Sequence, residues 1–159
     1  IDFKKCSVSD LCSFNLKKHI QKGHNKIGIV FNTDPHDEPG EHWIAMYVDI
    51  LGKNLDSIPG IYYFDSYGSK PGKEVNQLIQ KIKKQGTKNK TPFKYFYNDH
   101  SFQSKDSQCG MYAIHFIKSM LNDISFKKFL NTDLNDKRMK QLRKKHFIQP
   151  SKIKYKYDL

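Results

Sequence analysis

A glutamine, a cysteine, a histidine and an aspartate in this chain have residue types and positions suited to attack on a carbonyl group. Gln103 precedes Cys109 by six residues, and Cys109 opens an apolar run with helical spacing. A thiol at the N-terminus of a helix lies near the positive end of the helix dipole, which favours the thiolate. The amide of Gln103 can donate a hydrogen bond to the oxyanion that forms on an attacked carbonyl.

The candidate base and its orienting carboxylate lie upstream. His42 begins an apolar run that predicts a strand, and Asp65 ends a second such run. A carboxylate that accepts a hydrogen bond from one imidazole nitrogen fixes the ring while the other nitrogen faces the thiol. A lone cysteine is usually a small buried hydrophobe, so the prediction depends on all four residues together. Together they predict a cysteine peptidase.

The order of these residues resembles the superfamily of ubiquitin-like-protein-specific proteases and adenovirus proteases, over about residues 27–122. Papain-like enzymes use the same groups with Gln and Cys before His, so the chain order distinguishes the two. Four short motifs carry the resemblance: His42-Trp43, Phe64-Asp65-Ser66, Gln103 and Cys109-Gly110.

The resemblance implies an α+β fold with a small mixed central sheet flanked by helices, a papain-like catalytic core in permuted order. It implies that Trp43 shapes a narrow channel for a Gly-Gly-like substrate tail, and that Gly110 lets the substrate approach closely. It implies no metal and no organic cofactor, but it leaves room for a nucleic-acid or peptide activator. The catalytic residues it implies are His42, Asp65, Gln103 and Cys109.

The resemblance implies a thiol-dependent endopeptidase that cleaves peptide or isopeptide bonds after Gly-Gly-like sequences. Compactness, abundant lysine and asparagine, and residues 31–43 favour processing of a viral polyprotein such as a capsid or core protein. The alternative is deconjugation or maturation of SUMO-like or ubiquitin-like modifiers. SUMO-type tunnels commonly contain a second tryptophan, whereas Trp43 is the single tryptophan of this chain.

The net charge of +12 is concentrated near the C-terminus. A basic segment of this kind can follow a phosphate backbone, so a second alternative is a non-catalytic nucleic-acid-binding module. The simpler interpretation is a solvated helix whose apolar stripe, including Met139 and Leu142, docks on the domain. The candidate nucleic-acid contacts are Lys137, Arg138, Lys140, Arg143, Lys144 and Lys145.

Length and composition predict one domain with a real core, divided into a peptidase domain, residues 1–134, and a basic helix or tail, residues 135–159, docked on it. No apolar stretch approaches the roughly 20 residues of a membrane span, so no membrane partner is expected. Three cysteines without zinc-ligand spacing indicate reduced thiols. We therefore expect a reducing compartment: the host cytoplasm or virion for a viral protein, and otherwise the nucleus or cytoplasm.

Hydrophobic periodicity predicts the elements that position these residues. We expect a helix from Cys109 to Leu121 and an earlier helix that contains Val75 and Ile82 and is closed by Gly86. Residues 34–41 form an acidic loop before His42, which we expect either to select basic substrates or to raise the His42 pKa. Other predicted elements are a short helix at residues 9–20 and strands at 26–32, 42–50, 60–66 and 93–98.

Overall fold

The computed structural model describes residues 13–34, 38, 40–104 and 107–147. Helices and strands alternate irregularly along this part of the chain. In chain order they are α1 (Leu16–Gln21), β1 (Lys26–Asn32), β2 (Trp43–Asp49), β3 (Gly60–Phe64), α2 (Lys73–Lys88), β4 (Lys94–Tyr97), α3 (Cys109–Leu121), α4 (Phe126–Leu130) and α5 (Asp136–His146).

The strands form one mixed sheet in the order β1-β2-β3-β4. β1 with β2 and β2 with β3 are antiparallel, whereas β3 and β4 are parallel. Ala45 pairs with Phe64, and Tyr63 pairs with Tyr97. The start of β2 and the ends of β3 and β4 therefore lie at the same end of the sheet. The predicted α+β fold with a small mixed sheet is confirmed.

Helices cover both faces of β2. Ile44 and Met46 point into an apolar cluster that includes Leu78 and Ile79 of α2. Ala45 and Tyr47 point to the opposite face, where the cluster includes α3 residues. Successive side chains of β2 therefore point to opposite faces of the sheet. Burial of each large apolar side chain stabilises the fold by about 1.5–3 kcal/mol.

Several predicted boundaries extend too far. Residues 42 and 50 lie just outside β2, and residues 65 and 66 lie beyond β3. The first helix begins at Leu16, because the side chain of Asn15 caps it by accepting from the Lys18 N–H. Part of the predicted helix, residues 9–12, falls outside the described residues.

The prediction that Gly86 closes a helix is wrong. α2 continues to Lys88, and Gly86 is a buried residue inside it. A Cβ atom at Gly86 would collide with the Thr91 carbonyl oxygen and would lie 2.5 Å from the Phe93 ring. The glycine is therefore required by close packing against the segment that leads into β4, not by helix termination.

The C-terminal helix α5 packs on the same core as α3. Met139 is fully buried and Leu142 is partly buried in the cluster that contains Phe129 and Leu134. The lysines and arginines of α5 are exposed. None of the helices in the described part of the chain has the length and apolar character needed to cross a membrane.

Replacing Gly86 by alanine tests the packing explanation. At an unhindered helix position the change would stabilise by about 1 kcal/mol, whereas overpacking costs about 1–3 kcal/mol. We expect the free energy of unfolding of Gly86→Ala, measured by urea denaturation, to fall by about 1–2 kcal/mol. Lys84→Ala, at an exposed position of the same helix, should leave the midpoint nearly unchanged. An increase in stability for Gly86→Ala would contradict the packing role.

Candidate active site

His42 and Asp65 meet at the end of the sheet. His42 precedes β2 and Asp65 follows β3, and His42 Nε2 lies 2.8 Å from Asp65 Oδ1. The backbone N–H of Tyr67 donates to the same oxygen at 2.8 Å. Asp65 is only 3% exposed. Because Nε2 is bound to Asp65, the buried Nδ1 is the ring nitrogen available to a further partner.

The buried side chain of Asn98 holds the backbone of Asp65. Its Oδ1 accepts from the Asp65 N–H at 3.0 Å, and its Nδ2 donates to the Asp65 carbonyl oxygen at 2.6 Å. Asn98 directly follows β4. The parallel pairing of β3 with β4 therefore brings this amide beside Asp65, and the carboxylate is fixed through its own backbone.

Cys109 is the first residue of α3 and its side chain is buried beside His42. Burial raises the pKa of the Cys109 thiol, but His42 and the backbone N–H groups of Trp43 and Gly110 outweigh it and lower the pKa. Burial lowers the pKa of His42, but Asp65 and Cys109 outweigh it and raise the pKa to about 9. The pair therefore favours a thiolate and an imidazolium.

Gln103 is buried and its amide is fixed at both ends. The Ser66 hydroxyl donates to Gln103 Oε1 at 2.7 Å, and Gln103 Nε2 donates to the Tyr67 hydroxyl at 3.1 Å. The Gln103 N–H also donates to the Ser66 carbonyl oxygen at 3.0 Å. The segment before α3 is thus held against the two residues that follow Asp65.

A groove of about 640 Å³ opens beside Cys109. Trp43 is 41% exposed, so it is not a core residue. A Cβ atom on Gly110 would lie 3.6 Å from the Trp43 ring, which shows that the indole covers the start of α3. Arg143 and Phe147 also line this groove.

The family model described as the Ulp1 protease family, C-terminal catalytic domain, matches residues 17–153. The chain belongs to the Ulp1 protease family. This match contains all of β1 through α5 and all but the first residue of α1. The suspected resemblance to ubiquitin-like-protein-specific proteases is therefore confirmed.

Two viral proteins are among the similar sequences. A protein of Acanthamoeba polyphaga mimivirus, named as a thiol protease, is 36% identical over 96% of this chain and 49% of its own length. A cysteine protease of African swine fever virus is 28% identical over 90% of this chain and 51% of its own length. The chain therefore spans about half the length of the curated relatives it matches.

Solved structures of Ulp1-family proteases share the fold. The African swine fever virus protease matches with a TM-score of 0.72 at 24% identity, covering 90% of this chain and 55% of that one. The Ulp1 protease domain in complex with Smt3, the yeast ortholog of SUMO, matches with a TM-score of 0.56 at 16% identity, covering 89% of this chain and 61% of that one. At these identities the likeness concerns the fold alone.

Sequence reasoning missed the residues that support the Ulp1-family site. Tyr67 contacts Asp65 and Gln103 through hydrogen bonds, and its ring centroid lies 5.0 Å from that of His42. The sequence Asp-Ser-Tyr-Gly is typical of a turn, and nothing in it indicates that the tyrosine contacts the candidate site. Asn98 could not be found either, because its role depends on the parallel pairing of β4.

The acidic loop and the other cysteines complete the predicted features. The Asp34 carboxylate accepts from the Glu41 N–H at 2.7 Å, and Glu41 borders the groove. The raised His42 pKa comes from Asp65 and Cys109, with no contribution from the described part of this loop.

Asp37, Cys6 and Cys12 fall outside the described residues. Within the described ranges, no group of three or more His, Cys, Asp or Glu is arranged to hold a metal ion.

The paired pKa shifts predict how Cys109 reacts with iodoacetamide as the pH changes. The Cys109 pKa is lowered, and His42 stays protonated until the pH rises through about 9. The alkylation rate of wild-type Cys109 should therefore fall less steeply than that of His42→Ala as the pH is lowered below about 8. In His42→Ala the thiol loses its partner, so the rate should fall about tenfold per pH unit below its pKa.

Peptide mass spectrometry would assign the adduct to Cys109 and separate it from Cys6 and Cys12. His100→Ala is a matched control, because His100 is exposed and its Nδ1 contacts Asp99 instead. It should retain the wild-type profile. Identical profiles for wild type and His42→Ala would show that His42 does not stabilise the thiolate.

Proposed function

We propose that this chain is the catalytic domain of a cysteine peptidase that hydrolyses peptide or isopeptide bonds. The observation that carries the proposal is the His42–Asp65 hydrogen bond of 2.8 Å beside a thiol with a lowered pKa. Membership of the Ulp1 protease family supports the same reaction. Because the curated relatives are about twice as long, the activity of a longer protein is part of this proposal.

The proposed reaction begins with attack of Cys109 Sγ on the substrate carbonyl carbon. Gln103 Nε2 and the Cys109 N–H donate to the oxygen, which gains negative charge as the tetrahedral intermediate forms. His42 gives its Nδ1 proton to the leaving amine when the C–N bond breaks. Asp65 holds the ring through Nε2 and balances the imidazolium charge.

The second half of the reaction frees the enzyme. Water attacks the thioester while His42 Nδ1 takes one of its protons as a general base. Collapse of the second tetrahedral intermediate releases the carboxylate product and the Cys109 thiolate. The same imidazole acts first as an acid and then as a base, so a pKa well above that of free histidine favours the first step.

We propose that the substrate is a viral polyprotein cleaved after a Gly-Gly-like sequence. Trp43 over Gly110 narrows the groove next to Cys109, and a narrow channel favours residues without side chains. The two viral relatives, named as thiol and cysteine proteases, support a viral substrate. The thiol requires a reducing compartment, for which we propose the host cytoplasm or the virion. Maturation or removal of a ubiquitin-like modifier is the alternative, favoured by the shared fold with Ulp1 bound to Smt3.

Two substitutions test the proposed roles with peptide and modifier substrates that end in Gly-Gly. Cys109→Ala should abolish turnover, because Cys109 is the only thiol in the described part of the chain that can form the thioester. Gln103→Ala should lower kcat by about 10²–10³-fold, as expected for loss of one oxyanion donor. Turnover of Gly-Gly-X peptides without reaction toward SUMO or ubiquitin would favour the polyprotein substrate, and the reverse would favour the modifier.

A matched glutamine variant separates catalysis from a general effect of the substitution. Gln77 lies on the exposed side of α2, far along the chain from the site. Gln77→Ala should leave kcat and KM at wild-type values. Wild-type kcat in folded Gln103→Ala would exclude the amide as an oxyanion donor.

We propose nucleic acid as a second partner, in line with the basic character of α5. Lys137, Lys140 and Lys144 line one surface groove. Arg143 instead contacts the Ser107 carbonyl oxygen, so the basic residues do not form a single patch. This surface could serve as the site of an activator or, if the peptidase residues were idle, as the main function.

Salt dependence tests the nucleic-acid proposal. Each neutralised phosphate contact contributes about 0.9 to the slope of log K against log salt concentration for duplex DNA. Replacing Lys137, Lys140 and Lys144 by alanine should reduce that slope by about 2–3 in a fluorescence-anisotropy titration. Replacing Lys81, Lys83 and Lys84 of α2 is the control. No binding by wild type at low salt would remove this function.

A further inference from the structure

Helix α5 holds the segment between Gln103 and Cys109 at two points. Asp136, in the first turn of α5, accepts from the Ser104 N–H at 3.1 Å and from the Ser104 hydroxyl at 2.8 Å. Arg143, two turns later, donates from Nη2 to the Ser107 carbonyl oxygen at 2.6 Å. Ser104 directly follows the proposed oxyanion donor, and Ser107 lies two residues before the proposed nucleophile.

Asp136 also reaches the helix that carries the nucleophile. The Tyr112 hydroxyl lies 3.1 Å from Asp136 Oδ1 and 3.0 Å from the Phe102 carbonyl oxygen. Tyr112 is fully buried and lies one turn after Cys109. The Asp136 carboxylate therefore connects Ser104, just after Gln103, with Tyr112 in α3.

The apolar face of α5 keeps this carboxylate in place. Met139 is fully buried in the core cluster, and Leu142 packs against the same cluster. The Asn135 side chain caps the helix by accepting from the Arg138 N–H at 2.9 Å. An acidic residue in the first turn is also favoured by the helix dipole. Packing of α5 on the core cluster therefore holds Asp136 in place.

We infer that α5 is a positioning element for the peptidase and that Asp136 is its main positioning residue. It connects Ser104, which follows Gln103, with Tyr112, which lies one turn after Cys109, and so sets the distance between the Gln103 amide and the Cys109 thiolate. A misplacement of about 1 Å in a reacting group can cost roughly 10²-fold in rate, so such a contact matters without touching substrate. This inference rests on the proposed peptidase function.

The contacts of Asp136 differ from those that activate the thiol. Burial raises the pKa of the Cys109 thiol, but His42 and the backbone N–H groups of Trp43 and Gly110 outweigh burial and lower the pKa. The hydrogen bonds that Asp136 accepts from Ser104 and Tyr112 involve a different set of groups. Loss of Asp136 should therefore lower turnover while the thiolate remains reactive, which a general loss of folding would not do.

The experiment compares Asp136→Ala and Asp136→Asn with wild type, using a Gly-Gly-X peptide substrate. Asp136→Ala should lower kcat about tenfold or more and change KM by less than about threefold, because the oxyanion donor moves while the groove keeps its shape. Its iodoacetamide rate at Cys109 should stay within about twofold of wild type. Asp136→Asn keeps one of the two acceptor oxygens and should recover part of kcat. Asp99→Ala is the control, because Asp99 is an exposed acid that contacts His100.

The outcomes separate the positioning role from the proposed function. Unchanged kcat in a folded Asp136→Ala variant would overturn the positioning role, as would parallel losses of kcat, alkylation rate and thermal stability. A wild-type protein that is alkylated at Cys109 but cleaves no substrate would contradict the proposed function instead. In that case, amide hydrogen exchange decides: Asp136→Ala should accelerate exchange in residues 103–109, and an unchanged rate there would overturn the inference.

Discussion

The hydrogen bond between His42 and Asp65 is the interaction on which the rest of the site depends. A buried imidazolium next to a thiolate is costly unless its charge is balanced and its N–H groups are bonded. Asp65 supplies both, and it can do so because Asn98 and the Tyr67 N–H fix it from the other side. The sheet order brings these groups together, since the start of β2 and the ends of β3 and β4 share one end of the sheet.

Much of this arrangement was predictable from the sequence because it depends on residue type and periodicity. The strands were recognisable from short apolar runs, and α3 from helical spacing after Cys109. The pairing of β4 with β3 was not predictable, since an aromatic run does not specify its partner strand or its direction. Asn98 was missed for that reason. Gly86 was misinterpreted because a glycine near the end of a periodic run is usually a stop signal, and only the contact with Phe93 shows its actual role.

The basic C-terminal helix shows the limits of reasoning from charge. Lysine is the most frequent residue type in this helix. The hydrogen bonds to Ser104 and Ser107, however, come from Asp136 and Arg143. A count of charges does not distinguish these residues from one another, so it predicts a nucleic-acid partner for all the basic residues of the helix. The structure distinguishes an exposed lysine face from two side chains directed at the chain between Gln103 and Cys109. One helix thus supports two separate hypotheses that concern different residues.

Two sets of hydrogen bonds position the residues of the candidate site, and they have few residues in common. The thiolate depends on the end of the sheet, where His42, Asp65 and Asn98 are joined by hydrogen bonds. The proposed oxyanion donor, Gln103, lies before α3, where Ser66 and Tyr67 bind its side chain and α5 binds Ser104. Since Tyr67 bonds to both Asp65 and Gln103, it is the link through which a shift in one set would reach the other. In the proposed mechanism, ionisation of Cys109 and stabilisation of the oxyanion therefore depend on different contacts, and Tyr67 connects the two sets.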